Sequence, residues 1–328
     1  MLITRRHALS LTLGAAALAR PVVAWANAPL SVVATTGMIA DTARRIGGDL
    51  VEVRALMGPG VDPHAYRQTR SDIAAMTRAD LVLWNGLYLE AQLEEFMHTL
   101  SRRMRVEALA EALPTHLLRA HQDYADRYDP HVWMVPALWR LVAEELARVL
   151  RDIRPDAADR IDANLAAYIA ELESVGAYAA DVLGQVPPEA RVLLTAHDAF
   201  GYFGDAYGYE VIGVQGISTE SEAGLHRITE LVDLLVERRV GAVFVETSVS
   251  DRNMRALIEG AAARGHTVRI GGELFSDAMG IDGTYEGTLI GMLDHNATVI
   301  ARALGADVPA GGMSGRLGLK SARLGGNG

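Results

Sequence analysis

The chain has 328 residues, 50% of them hydrophobic and 22% charged, with 41 acidic against 31 basic side chains, ten histidines and no cysteine. A formal charge of −10 argues against a protein that wraps a polyanion, so no nucleic-acid partner is expected. Without cysteine there is no disulfide scaffold, thiolate zinc site, iron–sulfur cluster or cysteine nucleophile, and any transition metal must be held by nitrogen and oxygen.

Residues 1–26 read as an export signal and not as part of the fold. Thr4, Arg5 and Arg6 precede an apolar, small-residue stretch over 8–19, and Ala24-Trp25-Ala26 has the small-x-small form of a signal peptidase site. The pair Arg5-Arg6 points to the twin-arginine route. Removing Arg5, Arg6 and Arg20, with no acid lost, takes the charge from −10 to −13. The apolar run is shorter than the roughly 20 residues of a spanning helix, and no later run reaches that length, so a free periplasmic protein is expected. A lipid anchor is not expected, since no cysteine could carry it.

Beyond the signal, apolar β-rich runs alternate with helical patterns, the signature of parallel α/β units. The first lobe reads as strand 30–34, a helix to about 46 stopped by Gly47-Gly48, strand 51–57, helix 71–79, strand 81–84 and helix 89–100. A long Ala/Leu/Glu/Asp-rich pattern over 155–184 predicts one stiff helix joining this lobe to a second. The second lobe repeats the plan with strands 191–195, 210–214, 241–245 and 266–270, separated by helices such as 225–238 and 253–264. The Gly/Ser/Pro-rich stretch 306–328 reads as a flexible tail. The predicted fold class is therefore α/β, two lobes each with a mainly parallel sheet flanked by helices (27–154 and 185–305), joined by one long connecting helix.

One pentapeptide occurs twice: Asp62-Pro63-His64-Ala65-Tyr66 and Asp129-Pro130-His131-Val132-Trp133. In each, proline fixes an extended or turn geometry just before the histidine and presents it at a loop-to-helix junction. Two helix caps alone would not need the same five-residue form. His197 follows the apolar strand 192–194, Glu246 ends the run 241–245, and Asp277 follows the strand ending at Ile270 and the loop 271–276. Polar residues at the carboxyl ends of parallel strands face the ligand crevice, so two histidines from the first lobe would meet a histidine and a carboxylate from the second. Three imidazoles and one carboxylate suit zinc, manganese or iron, whereas calcium and magnesium prefer all-oxygen shells and copper(I) prefers sulfur. Imidazole binds metal only when neutral, so affinity is expected to fall below a pH of about 6.5.

These residues carry a family resemblance. The chain resembles the metal-binding solute receptors of ABC importers, the group of zinc, manganese and iron receptors, and within it the TroA-type zinc/manganese receptors. The similarity runs from about Val32 to Leu304 through Thr35-Thr36-Gly37-Met38-Ile39, Asp62-Pro63-His64, Asn85-Gly86-Leu87, Asp129-Pro130-His131, the run from Thr195 to Phe203, Gln215-Gly216-Ile217-Ser218-Thr219, Glu246-Thr247-Ser248 and the run from Gly272 to Gly280. The resemblance implies four metal ligands, His64, His131, His197 and Asp277, in a cleft between two lobes joined by one long helix. It also implies capture of a divalent cargo, Zn2+ or Mn2+ with Fe2+ in third place, and delivery to an inner-membrane ABC permease with its cytoplasmic ATPase.

Manganese-dedicated relatives usually carry glutamate where His197 stands, which tilts this chain toward zinc or mixed use. Zinc-dedicated relatives often carry a long His-rich acidic loop before the second ligand. Here only His116, His121, Asp123 and Asp126 stand there, read as a short solvated loop, which weighs against strict zinc scavenging. Glu246 is expected to orient a ligand or close the site through a hydrogen bond. His98, His226, His266 and His295 read as surface or helix-face residues, and Trp84, Trp133, Phe200 and Tyr202 as packing around the cleft.

The alternative class, a secreted metallohydrolase, would need an open coordination position and a nearby base. The chain has no His-Glu-x-x-His, Gly-x-Ser-x-Gly or phosphate loop. Neither enzymatic activity nor a catalytic cofactor is therefore expected, and surface adhesion gains no support from these residues. A monomer with limited closure is expected, because one stiff helix resists a wide hinge; the loops carrying His197 and Asp277 would order around the metal.

Overall fold

The computed structural model describes residues 28–121 and 126–318. The expected export signal, the last part of the expected tail (319–328) and Asp123 lie outside the described residues.

In the first lobe, β1 (Leu30–Ala34), β2 (Val51–Ala55), β3 (Leu81–Trp84) and β4 (Arg105–Ala108) form an all-parallel sheet in the order β2-β1-β3-β4. Val32-Val33-Ala34 and Leu81 to Trp84 are unbroken apolar runs because the central strands are buried on both faces. The crossovers carry α1 (Gly37–Gly47), α2 (Arg70–Met76) and α3 (Glu94–Leu100). The hydroxyl of Thr36 caps the start of α1, and Gly48 ends it at φ 54°, a left-handed turn that suits glycine. A reciprocal Thr69/Asp72 capping box starts α2. Both α2 and α3 are shorter than their apolar patterns predict; Ala91–Leu93 forms a 3-10 turn ahead of α3.

In the second lobe, β5 (Val192–Thr195) pairs in parallel with β6 (Glu210–Gly213), and β7 (Ala242–Glu246) with β8 (Arg269–Leu274). β5 lies alongside β7 without a continuous ladder, so the layer reads β6-β5-β7-β8, the same plan as the first sheet. The helices α6 (Gly201–Tyr207), α7 (Leu225–Glu237), α8 (Arg252–Ala263) and α9 (Leu289–Ala303) flank it. In both lobes the order reverses between the first and third strands, and at such a switch point loops diverge and leave a crevice.

The structure corrects the sequence at β8. The expected strand 266–270 followed by a loop is instead a strand that begins at Arg269 and runs through both glycines to Leu274, with a register shift opposite Val243/Phe244. Gly271 and Gly272 look like loop residues, but they are there for close packing. A β-carbon on Gly271 would stand 2.9 Å from the Phe244 ring, and one on Gly272 would stand 2.3 Å from Val299 on α9.

One long helix joins the lobes, as expected, and a second long helix from the first lobe packs along it. α4 (Pro136–Ile153), to which the sequence pattern assigned no element, starts with proline at its first turn and buries Trp139, Val142, Ala143, Leu146, Ala147, Val149 and Leu150. α5 (Ala158–Gly184) is the connecting helix, 27 residues or roughly 40 Å long. The expected start at 155 falls on a 3-10 turn, Pro155–Ala157. Along α5 the buried residues Ile161, Tyr168, Leu172, Val175, Ala179 and Val182 fall at spacings of seven, four, three, four and three, a single stripe that packs on α1, α4 and α9.

One hydrophobic core therefore runs through both lobes, from Val32, Met38 and Trp139 to Phe200, Tyr202, Leu289 and Ile300. Separate cores cover the outer faces of the second and first sheets. A polar tie crosses the same junction: Asp41 accepts the Leu289 N–H at the positive end of α9, 3.0 Å away. Burial raises the Asp41 carboxyl above its usual range, against that bond and the nearby arginines.

The expected flexible tail is also corrected over its first part. Met313 N–H donates to the buried Asp294 carboxylate at 2.9 Å, Gly318 N–H donates to Glu286 at 3.0 Å, and Leu317 is buried in the shared core. Small residues at 311–315 allow this stretch to lie tightly on α9.

Because the core is shared, the two lobes should unfold together. Trp139 is fully buried and donates to Thr42 Oγ1 at 2.9 Å, so Trp139→Ala is expected to cost about 3–5 kcal/mol. Urea unfolding should show one transition for both lobes, moved to lower midpoint in the variant; two separated transitions would contradict a shared core.

Candidate metal centre

Each copy of the pentapeptide folds the same way at its start. Asp62 Oδ1 accepts the His64 backbone N–H at 2.9 Å, and Asp129 Oδ1 accepts the His131 N–H at 3.0 Å. The proline between them sets the turn, and the carboxylate closes it over two residues. Each aromatic then anchors its histidine loop: Tyr66 donates its hydroxyl to Asp72 in the α2 cap at 2.8 Å, and Trp133 donates Nε1–H to Ser276 O across the lobes at 2.8 Å.

A buried carboxylate outside the sequence motifs supports this arrangement. Glu90, with no exposed surface, accepts the Thr35 hydroxyl at 2.6 Å and the N–H groups of Asn85 and Gly86 at 2.8 and 3.1 Å. These bonds hold three successive left-handed residues, Gly86, Leu87 and Tyr88, at φ 75°, 52° and 70°. Side chains at Leu87 and Tyr88 strain that turn. It leaves Asn85 to donate to Pro130 O, at 3.3 Å, beside His131. Glu90 lies inside an ordinary helical pattern, and only the neighbouring Asn85-Gly86 marks a turn in the sequence.

From the second lobe, His197 leaves the end of β5 and meets Glu246 at the end of β7. Glu246 accepts the His197 backbone N–H at 3.0 Å and stands 2.5 Å from its Nδ1, the orienting role the sequence predicts. Asp129 stands 2.7 Å from His131 Nδ1 in the same way. A carboxylate at Nδ1 keeps the ring proton there and turns Nε2 toward the centre.

The four residues meet between the lobes. His64 Nε2 and His131 Nε2 are 3.3 Å apart; Asp277 Oδ1 is 3.3 Å from His131 Nε2, and its Oδ2 is 3.1 Å from His197 Nε2 and 3.9 Å from His64 Nε2. Ligands held at 2.0–2.1 Å by a tetrahedral ion are separated by about 3.3 Å, so these distances outline such a cage. Among the described residues this is the one group of histidine and acidic side chains placed to hold a metal ion. All four are buried, and among the described residues neither Asp277 oxygen nor His197 Nε2 has a hydrogen-bond partner. Buried polar atoms are seldom left so, and a carboxylate in that condition calls for a cation.

The electrostatics divide the histidines. Burial drives His64 down to about 3, with Asp277 only partly opposing it. Burial also acts against a charged His131, but Asp129 and Asp277 outweigh it and push the imidazole up to about 9. At His197 burial is outweighed by Asp277 and Glu246, leaving it well above its ordinary value. Burial would raise Asp277, but His197 and His131 hold it well below the usual carboxylate range. Without metal, these directions favour a neutral His64 and place the positive charge on His131 and His197, against the carboxylate of Asp277. Two protons stand where one divalent ion would bring the same charge.

The remaining histidines lie elsewhere. His98 and His226 are exposed, while His266 and His295 bond the carbonyls of Val240 and Glu273. His116 is exposed as expected, but the solvated loop expected around His121 is not found there: His121 is 7% exposed, its N–H bonds Arg127 O, and Ala120 bridges Tyr128. His121 lies close enough to oppose charge on His64.

Known proteins share this chain's sequence and fold. The profile of a family described as zinc-uptake complex component A, periplasmic, matches residues 32–303. The manganese-binding lipoprotein MntA of Bacillus subtilis is 44% identical over 279 residues, 85% of this chain and 91% of that protein. The zinc-binding protein TroA of Treponema pallidum is 44% identical over 273 residues, 83% of this chain and 88% of that protein. The solved structure of the periplasmic zinc-binding protein TroA from Treponema pallidum superposes with a TM-score of 0.82 at 42% identity, covering 84% of this chain and 99% of that one.

The proton inventory gives a signed pH dependence. His64, held at about 3, is already neutral at pH 7, whereas His131, raised to about 9, and His197, raised above its ordinary value, must each lose a proton before metal binds. Zinc binding at pH 7 should release about two protons, and affinity should keep rising as pH climbs from 6 to about 9 instead of levelling off near 6.5. Calorimetry in buffers of different ionisation enthalpy measures this release directly; binding without proton release would contradict the assignment.

Proposed function

The chain belongs to the family of periplasmic zinc-uptake component A proteins, and from that premise we propose that it captures a divalent transition metal between its lobes through His64, His131, His197 and Asp277. It is the solute-binding component of an ABC importer of zinc or manganese, and the metal is cargo, not a catalytic cofactor. The observation that supports the site assignment is the buried carboxylate of Asp277, ringed by three imidazoles whose Nε2 atoms lie 3.1–3.9 Å from its oxygens.

Capture proceeds as an exchange of charge. A divalent ion held by His64, His131, His197 and Asp277 would take the place of the protons that the neighbouring carboxylates favour on His131 and His197. The buried site keeps nearly the same charge throughout, so the ion enters without leaving an uncompensated charge in the interior. The core shared through α4, α5 and α9 supports small lobe rotation over wide opening.

Both metals remain in play. Two relatives of equal identity are named for manganese and for zinc, and the three-nitrogen, one-carboxylate set suits either. Zinc binds more tightly on ligand chemistry alone. Asp277 faces the histidines with both oxygens, which supports a fifth bond for an ion that prefers more ligands.

The family consists of binding components of transport systems, and the hydrolase alternative has no support: four buried protein ligands leave no open coordination position. The protein acts outside the cytoplasm with an ABC permease and its ATPase; among the described residues no helix is long and apolar enough to cross a membrane. Our finer reading is a monomer exported by a cleavable signal, by the twin-arginine route suggested by Arg5-Arg6.

Elemental analysis of the purified protein should find one zinc or manganese per chain, and His64→Ala combined with Asp277→Ala should abolish both that content and the rise in melting temperature on adding zinc. An unchanged metal content in the double variant would place the site elsewhere. Glu246→Gln, which keeps the size of the group beside His197 but not its charge, should weaken zinc binding by about 10- to 100-fold while leaving the stoichiometry at one. Competition against a chromophoric chelator measures this, and an unchanged affinity would remove Glu246 from the site.

A further inference from the structure

The two Asp-Pro-His turns are alike in sequence but differ in what the second carboxylate function does. Asp129 spends its Oδ1 on both the backbone and the ring of His131, within its own loop. Asp62 holds the His64 backbone with Oδ1, while its Oδ2 accepts the hydroxyl of Thr219 from the opposite lobe at 2.6 Å.

Thr219 stands on the loop that follows β6, and that loop also braces the other lobe's histidine. Gln215 N–H bonds Ala196 O at 3.0 Å, and Asp198 N–H bonds Gly216 O at 3.2 Å, one on each side of His197. Ile217 is buried beneath the loop. A continuous chain of contacts therefore runs from the His197 loop through residues 215–219 to Thr219, on to Asp62 and into the His64 backbone. A second contact, Gln92 Nε2 to Glu220 Oε1 at 2.5 Å, crosses between the lobes beside it but touches no residue that holds a ligand.

We infer that Thr219 is a positioning residue: its hydroxyl, by holding Asp62, ties His64 to the opposite lobe and sets how fast the metal is released. His131 has its ring and backbone held by Asp129 of its own loop, and that loop reaches the other lobe through Trp133 to Ser276 O and through the Tyr202 hydroxyl to Asp129 O, so no crossing bond falls on the carboxylate that orients His131. His64, whose loop carboxylate is shared across the cleft, is the ligand that lobe separation pulls away first. Delivery to a permease would then begin with loss of the Thr219–Asp62 bond, followed by His64, while His131, His197 and Asp277 still hold the ion. This inference rests on the capture site proposed above.

The test uses zinc-loaded full-length protein mixed rapidly with excess chromophoric chelator, with cobalt-loaded protein as a check on coordination. Thr219→Val, which keeps the shape but removes the donor to a carboxylate, should speed zinc release by about tenfold. Thr219→Ser should restore release to within about twofold of the parent, and Gln92→Ala should change it by no more than about twofold. The visible spectrum of the cobalt form should be the same in all of them, because the four ligands are retained. Release from Thr219→Val at the parental rate would overturn the inference, as would equally fast release from Thr219→Ser or from Gln92→Ala. A parent protein that takes up no zinc would instead overturn the proposed function itself, so the two failures read differently.

Discussion

A carboxylate sealed in the interior and faced by three imidazoles sets the terms for the rest of this molecule. Asp277 is 2% exposed, and among the described residues neither of its oxygens is hydrogen-bonded. An ionised group in that position is costly unless a positive charge stands against it. The surrounding residues supply two alternative sources of that charge: protons on His131 and His197, or a divalent ion bound by all three histidines. On the proposed assignment, exchange of one source of charge for the other would be the physical basis for reversible capture.

The fold provides this arrangement by repeating one topology. The orders β2-β1-β3-β4 and β6-β5-β7-β8 place a switch point in each lobe, and His197 and Glu246 sit at strand ends beside theirs. Carboxylates then fix the imidazoles from behind: Asp129 for His131 and Glu246 for His197, with Glu90 holding the strained turn that brings Asn85 to the His131 loop. Rigidity comes from the other side of the cleft, where α4 and α5 close one core over both lobes. The contacts that cross the cleft near the ligands are single hydrogen bonds. The base is thus rigid and the mouth lightly tied.

Much of this was legible in the sequence where local chemistry is strong. The doubled Asp-Pro-His-apolar-aromatic run marked two of the histidines that the structure brings together, because a proline turn ahead of a histidine has a specific geometric consequence. Apolar runs bounded by turn residues located the strands, and Ala-rich periodicity located α5. What stayed hidden depends on contacts between distant segments. Gly271-Gly272 read as a loop because the demand for glycine comes from Phe244 and Val299, packed above the strand. The stretch 306–318 read as flexible because Asp294, the carboxylate that pins it, is remote from the tail's own composition. Glu90 gave no sign, and Thr219 stood in a motif of the resemblance without any hint of its role, since a glutamate in a helical pattern and a threonine in a loop are ordinary until their partners are known. The direction of each histidine's titration was equally out of reach, because it depends on which carboxylate lies behind which ring.

The most direct test of the central claim is X-ray absorption at the metal edge of the zinc-loaded protein in solution. The account predicts a first shell of light atoms at about 2.0–2.1 Å, with the multiple-scattering pattern of three imidazoles and the remaining oxygen supplied by a carboxylate. A shell dominated by water oxygens, or one with fewer than three imidazoles, would show that the ion binds somewhere other than the cage around Asp277.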